Sequence, residues 1–239
     1  LIYAAKNLNY GVLEYDYKYC AYRSPEKHAK EHGECRCESS RVGKIASIFL
    51  SSAKALWWMS KGQMNYYHDK FPFLKNGRNV VLSSVFSRET LALIETLDVD
   101  NKNNKWIILN SPSWIKGTED SVRYAKKNNL EYELIWGLEY ESLLKKLANS
   151  KGLIFLPKGS DTCPRIVIEA KLLGCELVLN ENVQHKDEIW FETKETAMNH
   201  LCSRTSVFWK DVEDASKNID ILKKEEKSDT KYNVIIPFY

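Results

Sequence analysis

From Asn79 to Asn180, short apolar runs alternate with amphipathic stretches, the grammar of successive parallel strand and helix units. The strands predicted are Val80–Ser84, Trp106–Leu109, Glu133–Trp136, Leu153–Leu156 and Glu176–Leu179, each rich in aliphatic, β-branched or aromatic residues. The helices between them carry caps as well as periodicity. Ser87 caps a helix expected over Arg88–Leu97, and Leu143, Leu144 and Leu147 line one side of Tyr140–Ala148. Pro164 opens a helix over Pro164–Leu173, which Gly174 ends. These elements suffice for one doubly wound sheet. Residues 1–75 read as a thinner version of the pattern: a strand over Val12–Tyr19, a helix over Gly43–Ser52, a strand over Leu56–Met59 and a helix from Gly62 to Tyr67. Trp57-Trp58 and Tyr66-Tyr67 are read as core and interdomain packing.

The expected architecture is α/β, with two Rossmann-like domains built on parallel sheets and the N-terminal one incomplete. The boundary is placed in Lys75–Asn79, giving domains over 1–75 and 76–222. The charged run Lys223–Lys231 reads as a linker, and Asn233–Tyr239 as a strand that opens a further domain, so the chain looks cut at both ends.

Composition narrows the function classes. With 44% hydrophobic and 28% charged residues the chain falls in the ordinary globular range. Its apolar stretches fall well short of the ~20 residues of a membrane span, so no transmembrane segment is expected. The net charge of +3 is small and its bases are interspersed with acids, which argues against nucleic acid as partner. The start carries no signal-peptide pattern, and the six cysteines are too sparse for a disulfide framework; a cytoplasmic location is expected.

The segment richest in chemistry runs from Leu156 to Gly174: a strand end, a polar loop and a capped helix. Ligands of open α/β sheets bind at such carboxyl ends. The loop delivers Asp161, the amides of Thr162 and Cys163 precede the helix, and Glu169 lies about one and a half turns inside it. Amides at a helix start favour an anion such as a diphosphate. Two carboxylates beside them suit the hydroxyls of a hexose and a ribose, so the pattern asks for a nucleotide sugar. Arg165 and Glu169 also stand at i and i+4, and a plain surface ion pair fits that spacing as well. A bound diphosphate calls for basic partners, and Arg88 and Lys116, both just after strands, are the candidates.

Glu133 through Asn180 resembles the donor-binding domain of GT-B glycosyltransferases, above all the large retaining family four. That family's motif of Glu, seven residues and Glu stands here as Asp161, seven residues and Glu169, followed by Ala170 and Gly174. The first acid is Asp, and the loop reads Thr162-Cys163-Pro164 where the family usually has a Gly-Phe-Gly type of loop. The resemblance, which extends over residues 79–180, implies that Glu169 holds the ribose hydroxyls, that Asp161 faces the hexose near its reacting carbon, and that the amides after Asp161 hold the diphosphate. It places Gly137 beside the base and Arg88 near the phosphates; Ser84, Pro164 and Arg165 complete the donor side. Such enzymes need no metal for catalysis, and Asp98-Val-Asp100 is read as turn chemistry.

Cys20, His28, Cys35 and Cys37 fall close together in the N-terminal part. A structural zinc site, a disulfide or free thiols each fit them. The same loop offers Asp16, Arg23 and His28 to an acceptor, and inverting transfer would take Asp16 or His28 as its base. His68, His185 and His200 show no partners in the sequence.

The function expected is transfer of a hexose from a nucleoside diphosphate sugar to a glycan, lipid or protein acceptor, with retention. A sugar-nucleotide epimerase differs by forming product without acceptor, and a non-catalytic donor-binding fragment of a multidomain protein by forming none. Val234–Pro237 resembles the opening of a GT-A domain, which implies a fused second glycosyltransferase.

Overall fold

The computed structural model describes residues 1–97, 99–225 and 233–238. Its contacts gather into two compact units, residues 1–83 with the chain from Arg204 onward, and residues 84–203. The first unit contains α1 (Ile2–Asn7), β1 (Asn9–Glu14), α2 (Pro25–His32), α3 (Arg41–Ser51), β2 (Ala55–Trp58), α4 (Lys61–Lys70) and β3 (Asn79–Val81). The second contains α5 (Arg88–Thr96), β4 (Trp106–Leu109), α6 (Thr118–Lys127), β5 (Tyr132–Ile135), α7 (Tyr140–Ala148), β6 (Gly152–Phe155), α8 (Arg165–Leu172) and β7 (Glu176–Leu179). α9 (Lys194–Glu225) begins in the second unit and ends in the first, and β8 (Asn233–Phe238) follows.

Both sheets are parallel. The first has the order β3-β2-β1-β8 and the second β5-β4-β6-β7. No described helix is long and apolar enough to cross a membrane.

Successive residues of a strand face opposite ways, and β2 uses this to build two cores. Trp58 packs with Tyr10, Tyr17, Tyr19, Phe49, Leu50 and Tyr67 on one face. Trp57 joins Ala55 and Leu82 on the other, against Phe208, Val212 and Ala215 of α9. Ser87 caps its helix as expected, and Ser24, Ser40 and Ser60 do the same for theirs, each accepting an amide of the first turn. Each such cap is worth about 1 kcal/mol.

Several expectations need correction. The strand expected over Val12–Tyr19 stops at Glu14, because the Glu14 carboxylate accepts the amides of Asp16 and Lys18 and turns the chain. The strand expected over Val80–Ser84 is there as β3, but it pairs with β2 in the first sheet, so the second unit begins after it. Residues 233–238 were expected to open a further domain; as β8 they pair with β1 from Asn9 to Glu14. The first sheet is thereby fuller than the two strands expected for it. Residues 223–225 of the expected linker belong to α9, while its residues 226–231 lie outside the described residues, as does Asp98 of the Asp98-Val-Asp100 turn.

One stabilising device has no signature in the sequence. The Lys102 ammonium donates to the carbonyls of Ala148, Ser150 and Leu173 at 2.9, 3.2 and 2.9 Å, tying together the carboxyl ends of α7 and α8. A cation there meets the negative ends of two helix dipoles as well as three acceptors. Replacing Lys102 by Met should cost roughly 2–4 kcal/mol, given that hydrogen bonds to charged groups contribute about 1.5–3 kcal/mol each and do not add fully. Urea unfolding of the variant checks this, and a loss under about 0.5 kcal/mol, typical of a surface substitution, would contradict it.

Candidate functional site

In the second sheet, β4 is followed by α6 and β5 on one side, whereas β6 is followed by α8 and β7 on the other. The loops leaving β4 and β6 therefore diverge from adjacent strands, which makes the crevice at the carboxyl ends of parallel sheets where ligands bind. Two backbone contacts hold these loops together. Lys158 N donates to Ile115 O at 2.8 Å. Gly117, at φ +65°, packs so closely on Leu156 that a Cβ would overlap its carbonyl.

Lys116 and Asp161 meet across that contact, with Nζ 2.7 Å from Oδ2. The Asp161 backbone is fixed from the far side by the loop after β7, since its amide donates to Asn182 O at 2.8 Å and its carbonyl accepts from Gln184 N at 3.1 Å. The Asn180–His185 segment thus positions the acid, and His185 itself is buried, stacked on Trp190 with ring centroids 5.4 Å apart.

Glu169 is buried in α8, with 2% of its surface exposed. Its Oε1 accepts from the Tyr140 hydroxyl at 2.8 Å, and Arg165 Nε lies 3.6 Å away. Burial raises its pKa, against the pull of the Tyr140 and Arg165 contacts. Arg165 and Glu169 do form the i and i+4 pair, but one member is in the interior, so it is not a solvated surface pair. The Arg165 guanidinium lies 4.2 Å from the centroid of the Phe86 ring and 6.0 Å from that of Tyr140.

The loop between Asp161 and α8 is held by Ser84, whose hydroxyl donates to Cys163 O at 2.9 Å. Cys163 is buried, and that burial pushes its thiol up to about 12. Pro164 is the cap of α8 and not its first residue, and no side chain caps that helix start. Val167 N turns back to Pro164 O at 3.1 Å, so the amides of Arg165 and Ile166 are the ones this helix start offers to an anion. Gly137 follows β5 at φ +66°, between the exposed Trp136 and Leu138. Arg88 opens α5 and is exposed; among the described residues no hydrogen bond or ion pair joins it to Asp161 or Glu169. Lys116, Asp161, Arg165 and Glu169 are brought to one end of one sheet, and Arg88 is joined to none of them.

The first unit has a charged group of its own. Asp16 accepts from Lys18 Nζ at 3.0 Å and from Arg23 Nε at 2.9 Å, and Arg23 takes a left-handed φ of +54°. His28 does not join Asp16 and Arg23. Its Nδ1 lies 3.6 Å from Cys20 Sγ and 3.1 Å from Cys37 Sγ, while Cys35 Sγ lies 3.7 Å from Cys20 Sγ. The four ligand atoms all fall within 4.8 Å of one another.

Three residues that sequence reasoning passed over carry weight: Tyr140 holds Glu169, Phe86 carries the Arg165 guanidinium, and Glu14 is the buried acid at the carboxyl end of β1. Glu14 lies in a strand that pairs on both sides, where an acid is out of place unless it has a task, but that pairing is long-range and was not legible in the sequence. Its Oε2 has no hydrogen-bond partner, and burial pushes its pKa from the ordinary 4.5 to about 8, against the pull of the Lys18 amide and charge. The raised value means that the folded form gains from the bound proton. That gain is complete below about 4.5 and is lost as pH rises through about 8. Glu14→Gln keeps the shape without the titration, so its stability relative to the parent should climb with pH over that window. Unfolding midpoints measured across it check this, and a constant difference would contradict it.

No family model matches the chain, and a search of the curated proteins finds no match either.

Proposed function

We propose that the second unit binds a nucleoside diphosphate sugar at the carboxyl end of its sheet, and that the protein transfers the hexose to an acceptor hydroxyl with retention. The observation that carries this reading is the pairing of two differently treated acids on one loop and helix. Asp161 is neutralised by Lys116 at 2.7 Å, whereas Glu169 is buried and oriented by the Tyr140 hydroxyl at 2.8 Å.

Each acid then has a chemical task. A buried, hydrogen-bonded carboxylate suits the paired hydroxyls of a ribose, which donate to it. The uncapped start of α8 and the Lys116 ammonium offset the diphosphate charge, and the Lys116 partnership keeps Asp161 from repelling that diphosphate. Asp161 is left to accept from the hexose. Trp136, exposed beside Gly137, and the Arg165 guanidinium offer flat surfaces to a base.

In the transfer step, the bond from the anomeric carbon to the phosphate oxygen breaks and its electron pair leaves with the diphosphate. The acceptor oxygen bonds to that carbon, and its proton passes to the departing phosphate oxygen. The charge that grows on the diphosphate is what Lys116 and the α8 amides stabilise. The assignment to the GT-B family rests on the resemblance of residues 79–180.

Calorimetry with UDP, GDP and their sugars tests the donor site. One of these nucleotides should bind, and Glu169→Ala should weaken it by roughly 10–100-fold, the equivalent of one or two hydrogen bonds to a charged group. Tyr140→Phe should fall between the parent and Glu169→Ala. Asp161→Ala should weaken the sugar nucleotide more than the bare nucleotide. No binding to any nucleotide, or parental affinity in Glu169→Ala, would overturn the proposal.

A further inference from the structure

We infer that Cys20, His28, Cys35 and Cys37 hold one zinc ion that fixes the 15–40 segment of the first unit. The inference is independent of the donor site. It begins from a deficit of structure: between β1 and α3 the chain has no strand among its described residues, only α2 and one 3₁₀ turn at Cys37–Ser39. Four separate local pieces nevertheless bring their soft ligands to one point. Cys20 sits on the turn after β1, where its amide donates to Tyr17 O at 2.8 Å. His28 lies on α2, Cys35 lies just beyond it, and Cys37 opens the 3₁₀ turn. That turn is wedged on α3: a Cβ at Gly43 would overlap the Cys37 carbonyl.

Three of the six spacings between the ligand atoms are close to those of a tetrahedron around zinc, and all six stay within 4.8 Å. Zinc bonds of about 2.3 Å to sulfur and about 2.0 Å to nitrogen give tetrahedral edges near 3.8 Å between sulfurs and near 3.5 Å between sulfur and nitrogen. The Cys20–Cys35 sulfurs are 3.7 Å apart, and His28 Nδ1 lies 3.6 and 3.1 Å from the sulfurs of Cys20 and Cys37. A disulfide needs about 2.05 Å, and every described cysteine is free. Nδ1 faces two sulfurs at once, an arrangement that a central cation held by all four ligands accounts for.

The His28 ring is fixed by stacking on Tyr22 at 4.9 Å and by the edge of His32 at 5.0 Å. Cys20 and Cys37 are buried in the aromatic core of the first sheet, so the ion would tie the segment directly to that core. Four protein ligands leave no open position, which makes the site structural and not catalytic.

The test is metal analysis of the full chain purified under reducing conditions, with cobalt substitution as a second measurement. One zinc per chain is expected, and the cobalt form should show intense thiolate charge-transfer bands with the strong visible bands of a tetrahedral ion. Cys37→Ser should weaken metal retention by more than the roughly 10–100-fold typical of losing an outer-shell partner. Glu169→Ala, in the other unit, should leave the zinc content unchanged. The cobalt spectrum of the unsubstituted chain needs no variant to fold. A metal-free chain, a cobalt spectrum without thiolate bands, a disulfide between any two of the three cysteines, or full zinc content in Cys37→Ser would overturn the inference.

Discussion

The candidate donor site depends on a contact between two stretches of backbone. Gly117 lies against Leu156 so closely that no side chain fits at that position, and its positive φ is one that L side chains rarely adopt. Because the loops after β4 and β6 touch there, Lys116 from one reaches Asp161 from the other. Everything else in the site is arranged around that meeting. The β7 loop fixes the Asp161 backbone, Ser84 holds the carbonyl of Cys163, and α8 then begins with its first amides uncapped and its Glu169 turned into the interior. The same contact explains why a lysine and an aspartate forty-five positions apart in the chain form one unit of charge.

The two acids illustrate how environment divides a shared chemistry. Asp161 keeps an ion-pair partner and some access to solvent, whereas Glu169 loses water and is compensated by a phenol and a guanidinium. A buried carboxylate is costly unless it is compensated, and here the Tyr140 hydroxyl and the Arg165 guanidinium supply the compensation. Glu14 in the first sheet presents the same cost without the compensation at one of its oxygens.

Much of the second unit was legible because its signals are local. β4, α7 and β7 have the bounds expected of them, since their apolar runs and apolar periodicity are local signals. The loop and helix carrying Asp161 and Glu169 were legible for the same reason. What escaped was long-range. The strand at Asn79–Val81 was foreseen, but nothing in three residues says that it pairs with Leu56–Trp58 and not with the next sheet. The partnership of β1 with β8 likewise spans nearly the whole chain. Phe208, Val212 and Ala215 do carry a helical apolar stripe that could have announced the helix covering Trp57. The cysteine cluster was visible as composition, but its irregular spacing matched no standard knuckle, and only folding brings the four ligands within 4.8 Å of one another.

The central claim is that the carboxyl end of the second sheet is a nucleotide site. Amide chemical-shift mapping of the isotope-labelled protein during titration with UDP or GDP reads it residue by residue. The account predicts saturable shifts concentrated in residues 111–117, 137–140 and 161–169, strongest at the amides that begin α8. Shifts confined to other parts of the chain, or none at saturating nucleotide, would contradict it.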